Sequence, residues 1–197
     1  ASTAKPAAEW ATELTGLLAQ TDGPSPLLLD AIKRQRSAKF DTALQAIADD
    51  VRRPTAFRLR ALDSMQARAM TPQVFTLLLT TLTQDASVAA RIQAAAMLSS
   101  STLTPTQTLT LAPSLSQVGP IELRELTKLL RRTSPKEAEA AETLTKAIAR
   151  NPALISQQES VYRTALSEHA PKLFEQIILP ARQAAEAGLD LKKRGLG

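Results

Sequence analysis

A chain of 197 residues with a formal net charge of +5, 44 % apolar residues and 3 % aromatics buries its core mainly with Leu and Ala, the composition of packed helices. The lack of cysteine excludes disulfides, thiolate metal sites and a Cys nucleophile within this sequence. With six scattered glycines and one histidine, His169, neither a phosphate-cradling glycine loop nor a histidine-based metal cluster can be assembled.

Proline supplies the punctuation, because it suits the first turn of a helix and disrupts helix interiors. Pro6, Pro26, Pro54, Pro72, Pro105, Pro120, Pro135, Pro152 and Pro171 each precede a stretch readable as helical. Ser25, Thr71, Thr104 and Ser134 stand immediately before four of them as N-caps. Helices are predicted near 7–20, 26–36, 39–50, 55–69, 72–83, 87–99, 105–116, 120–132, 135–150, 157–168 and 171–187. Apolar stripes support them: Phe40, Ala43, Leu44, Ile47 and Val51; then Ala61, Leu62, Met65 and Ala69; then Phe75, Leu78, Leu79 and Leu82. No segment shows strand alternation, so the chain is expected to be all-α.

Two of these elements repeat. Thr71-Pro72 and Thr104-Pro105 lie 33 residues apart, as do Arg58 and Arg91, each ahead of a small-apolar stripe. Residues 55–85 and 88–118 therefore read as two aligned helix–turn–helix units that should superpose, with 120–150 a degenerate third. Helix pairs of this length bury both apolar faces only by stacking, which predicts an α-solenoid of antiparallel pairs. The expected organisation is N-terminal helices over 1–50 (a cap or worn repeats, turning at TDGPSP), a repeat region over 51–187 and a C-terminal tail over 188–197.

The segment DASVAARIQAAAML, 85–98, resembles the Asp-x-x-Val-x-x-Arg-x-x-Ala-x-x-x-Leu signature of HEAT-like repeats. That resemblance implies Asp85 and Arg91 as members of a ladder between repeats; Val118 stands at the next Asp position and leaves the ladder incomplete. VGPIELRELTKLLRR and IARNPALISQQESVYRTALSEHAPKLFEQIILPARQ are similar to the helical repeat region of large bacterial envelope proteins. Those proteins combine a propeller resembling membrane-bound dehydrogenases, HEAT-like repeats and a C-terminal c-type haem domain. The resemblance spans about 55–187 and implies a periplasmic or envelope setting, without excluding the cytoplasm; it carries over no catalytic residue, because the Cys-x-x-Cys-His motif and a propeller are absent from these residues. The start ASTAKPAAEW, without Met or a visible signal peptide, reads as a processed chain or a fragment.

Charge placement supplies the functional candidates. Residues 51–70 carry Arg52, Arg53, Arg58, Arg60 and Arg68 against Asp63, and the basic helix 52–68 raises the alternative of a nucleic-acid-binding module. Arg60, Ser64 and Arg68 fall on the outer face of that helix, with Arg58 snorkelling from the core. Residues 69–121 hold only Asp85 and Arg91, and the uncharged run 92–121 has too many prolines and hydroxyls for a membrane helix. Hydroxyls desolvate at lower cost than ions, so Thr76, Thr80 and Thr110 are the candidate surface for a neighbouring domain or protein partner. Asp49, Asp50, Glu137, Glu139 and Glu142 read as structural carboxylates, and His169 as a helix C-terminal residue. The expectation is a non-catalytic helical scaffold or interaction domain, with no cofactor and no membrane insertion; an enzyme acting through His169 is the remote third reading.

Overall fold

The computed structural model describes residues 13, 16–17, 26–35, 37–65, 70–132, 138–166 and 170–193. They form helices and turns with no strand among them, and the fold is all-α. Ser25, Arg68, Ala69, Ser134, Glu137 and His169, and most of the predicted helix 7–20, lie outside the described residues. The chain divides into two compact units, Ala1–Thr76 and Leu77–Gly197.

In the first unit, α1 (Pro26–Gln35), a 3-10 turn (Ala38–Phe40) and α2 (Asp41–Asp49) lead to α3 (Thr55–Ser64). Both α1 and α2 pack on α3, around Leu29, Ile32, Phe40, Leu44, Leu59 and Leu62. Because α3 has a neighbour on two sides, its buried face is wide. Ser64, predicted on the outer face, is buried, and its hydroxyl lies 2.8 Å from Arg60 O and 3.2 Å from Leu29 O. The helix ends at Ser64: Met65 is extended (φ −73°, ψ 143°), with its N–H donating to Leu62 O in a tightened last turn. Val51 closes no stripe either. It follows the end of α2 and is 78 % exposed.

The unit boundary falls inside α4 (Pro72–Gln84). Thr71 begins this helix as read from the sequence, its hydroxyl oxygen accepting from Val74 N at 3.2 Å. Val74, Phe75, Leu78, Thr81 and Leu82 are buried; Thr76, Thr80 and Thr83 lie exposed.

The second unit continues with α5 (Val88–Ser100) and α6 (Pro105–Leu111), then a 3-10 turn over Ala112–Ser116. Thr104 caps α6 with a complete capping box to Gln107. The predicted helix 105–116 tightens at Pro113, which has no N–H for the i→i−4 ladder. Next come α7 (Pro120–Thr127), a 3-10 turn (Lys128–Arg131), α8 (Ala138–Ala149), a 3-10 turn (Pro152–Ser156) and α9 (Glu159–Leu166). The last helix has three parts: α10 (Pro171–Leu173), a π-helical turn (Phe174–Ile178) and α11 (Leu179–Lys193). The π turn ends two residues before Pro180, whose missing N–H interrupts the normal ladder, and Leu179 N donates to Phe174 O. The helix then runs past the predicted end at 187.

Packing in this unit skips one element each time: α5 lies on α7, α6 on α8, α7 on α9, and α8 on the π turn. Asn151 stitches this arrangement together. Its side chain is buried, with Nδ2 donating to Leu115 O at 2.6 Å and Val118 O at 2.9 Å, while Oδ1 accepts from Ala153 N at 2.7 Å. The Asn-Pro-x-Leu sequence thus caps its own turn and satisfies two carbonyls of the turn before α7. Asn151→Ala should cost about 2–4 kcal/mol in urea unfolding, because two carbonyls lose their donor. A loss below about 0.5 kcal/mol would contradict this role.

Candidate functional site

The basic segment of the first unit has most of its cations engaged within the unit. Arg52 Nε donates to Asp50 Oδ1 at 2.9 Å, and Arg53 meets the same carboxylate at 3.4 Å while lying 5.7 Å from the Phe57 ring centroid. Hydrogen bonds from Arg52 hold the Asp50 carboxyl below its ordinary value. Arg58 Nε donates to Ala48 O at 2.7 Å, in the last turn of α2, where a cation complements the helix dipole. Arg60 forms a two-point pair with Asp30, at 3.1 and 3.0 Å.

The threonine positions are placed differently. Thr76 and Thr80 share the exposed side of α4, and Thr110 is exposed on α6. Thr76 donates to Pro72 O and Thr110 to Thr106 O, both at 2.8 Å, so these hydroxyls are satisfied within their own helices. What they offer a neighbour is an uncharged methyl-bearing surface with little polar desolvation left to overcome.

Asp85 and Arg91 meet, but through the main chain. Asp85 Oδ1 accepts from Ser87 N at 2.8 Å, and Arg91 Nη1 donates to Asp85 O at 2.9 Å. The carboxylate partner of Arg91 is Glu122 on α7, at 3.0 Å from Nε. The Glu122 side chain is only 4 % exposed and folds back over Gly119, where a Cβ would come within 2.7 Å of Oε2. The φ of −69° at Gly119 suits any residue, so what a Cβ would disturb there is the present position of the Glu122 carboxylate.

A further feature lies on the opposite face of the same helix. Arg124, Lys128 and Arg131 line one wall of an open groove of about 330 Å³, and Ser160, Val161, Thr164 and Ala165 of α9 line the other. Sequence reasoning passed over this cluster, although the i, i+4, i+7 spacing opposite Leu123, Leu126 and Leu130 marks one continuous helix face. Lys128 also pairs with Glu125. Among the described residues no carboxylate pairs with Arg124 or Arg131.

The wall formed by α9 is anchored from behind by Tyr162, which is fully buried with its hydroxyl donating to Leu154 O at 3.2 Å. Arg182 Nη1 donates to the same carbonyl at 2.9 Å and to Gln157 O at 2.7 Å. On its exposed side, Arg163 is held by Glu159 and Glu175 and lies 4.3 Å from the Phe174 ring centroid. Among the described residues no three His, Asp or Glu side chains gather where they could hold a metal ion. No helix among them is long and apolar enough to cross a membrane. No family model, curated protein or solved structure matches this chain.

Burial pushes the Tyr162 phenol from its ordinary 10.0 up to about 12, against a smaller opposing effect of Arg182. An unfolded chain therefore ionises first, and stability present below pH 10.0 falls as pH rises towards about 12. Tyr162 is the only tyrosine, so phenolate absorbance reports it alone. The folded chain should titrate near 12 and the urea-unfolded chain near 10.0; coincident curves would show that the ring is not buried.

Proposed function

We propose that this chain is a non-catalytic helical scaffold that docks a protein partner or neighbouring domain, its second unit an α-solenoid of stacked HEAT-like helix pairs. The observation that carries this reading is the separation of the polar bonds between elements. Arg91 reaches Glu122 31 residues on, Arg132 donates to Ser99 O 33 residues back, and Asn151 to Val118 O 33 residues back. Gln157 donates to Pro120 O across 37 residues. Within the first unit, Arg60 reaches Asp30 across 30 residues, and Ser64 reaches Leu29 O across 35. Each distance is about one helix pair, as expected when every element is fastened to the one two ahead.

Such a body works by geometry. Its polar side chains are largely engaged in holding helices in register, and the threonine sides of α4 and α6 supply neutral surface for contact. The exported redox setting implied by the sequence resemblance belongs to this proposal as its context. Nucleic-acid binding through 52–68 has less support, because Arg52, Arg53, Arg58 and Arg60 already hold partners within the chain.

The test is photo-cross-linking in the native host, with a benzophenone amino acid at Thr80 or Thr110 and, as control, at the exposed Arg150. The reading expects the same protein, or the same segment of a longer polypeptide, captured at Thr80 and Thr110 and not at Arg150. Equal or absent products at all three positions would sink it.

A further inference from the structure

Three cations on one wall of the α7–α9 groove are spaced in a way that a helix alone would not produce. From Arg124 to Lys128 the chain is helical, four residues rising about 6 Å at ~1.5 Å each. Between Lys128 and Arg131 it is a 3-10 turn, three residues rising about 6 Å at ~2.0 Å each. In a 3-10 turn, side chains at i and i+3 eclipse, so Lys128 and Arg131 fall in line. The result is three positive charges at nearly even steps along a groove. An extended peptide places alternate side chains on one face about 6.6 Å apart, close to that step.

We propose that this groove binds an extended acidic peptide segment of a protein partner, with carboxylates at alternate positions meeting Arg124, Lys128 and Arg131. The inference rests on the scaffold reading, since the segment is held and not transformed. Charge complementarity selects the occupant. Arg124 and Arg131 have no carboxylate partner among the described residues, and the Lys128–Glu125 pair is exposed enough to be exchanged for a ligand carboxylate. Across the groove, Ser160 provides a hydroxyl within reach of a peptide backbone, while Val161 and Ala165 give apolar floor. Glu159, the carboxylate at the start of α9, is paired with Arg163. A single strand of nucleic acid fits less well, because no aromatic side chain lines the groove and the buried Tyr162 ring cannot stack on a base.

The experiment is a fluorescence-anisotropy titration of the full chain with a labelled hexapeptide, Glu-Ser-Glu-Ser-Glu-Ser. The proposal expects saturable binding, weakened about tenfold by the double variant Arg124→Ala/Arg131→Ala and unchanged by Arg150→Ala. Arg124 and Arg131 are exposed, so circular dichroism should show the variant folded. An isomeric peptide with its three Glu residues consecutive should bind more weakly, because only the alternating spacing matches the groove. Equal binding of the two peptides would overturn the proposal, as would binding indifferent to the double variant. Tighter variant-sensitive binding of a thymidine hexanucleotide would replace the peptide with nucleic acid. Displacement by millimolar inorganic phosphate, at constant ionic strength, would reduce the groove to a small-anion site. None of these outcomes bears on cross-linking through Thr80 and Thr110, so the two readings can fail separately.

Discussion

The second unit depends on one largely buried ion pair. Arg91 and Glu122 leave water together, with the guanidinium side chain 28 % exposed and the carboxylate 4 % exposed. Burial of two charges is unfavourable unless their remaining hydrogen-bonding capacity is met. Here Arg91 also donates to the carbonyl of Asp85, and α7 begins at a glycine that leaves room for the carboxylate. The pair therefore fixes three things at once: the turn entering α5, the packing of α5 on α7, and the rotation of α7 about its axis. That rotation decides where Leu123, Leu126 and Leu130 enter the core, and hence that Arg124, Lys128 and Arg131 face the groove.

The same logic recurs with other chemistry. Asn151 satisfies the carbonyls of the turn before α7, and Arg182 and Tyr162 converge on the turn after Asn151. A core of Leu and Ala has little shape to specify register. Directional polar bonds from residues one helix pair apart supply the register that the small apolar side chains leave undetermined. Two exposed cations with no carboxylate partner among the described residues, Arg124 and Arg131, stand at the α7–α9 groove.

Much of the helical framework was legible in the sequence. Thr71-Pro72 and Thr104-Pro105 announce helix starts by local chemistry, and both hydroxyls cap as that chemistry requires. The stripe through Leu123, Leu126 and Leu130 is likewise buried as its period demands. What failed depended on neighbours. Ser64 looks like an outer-face residue until α1 and α2 are known to flank α3 on both sides. Glu122 resembles an ordinary first-turn carboxylate, and only the packing of α5 on α7 brings it to Arg91. The groove was half legible: its cations share a visible helix face, but the hydroxyl wall 36 residues after Arg124, at Ser160, becomes its neighbour only through the skip-one packing.

The central claim, that polar pairs hold each helix to the one two ahead, is tested most directly by a double-mutant cycle on Arg91 and Glu122. Native-state hydrogen exchange of amides in α5 and α7 would be measured for Arg91→Ala, Glu122→Ala, the double variant and the parent chain. The account predicts a coupling of at least about 1.5 kcal/mol, with each single change costing nearly as much as both together. Losses that add within about 0.5 kcal/mol would mean that the two residues act independently, and would contradict it.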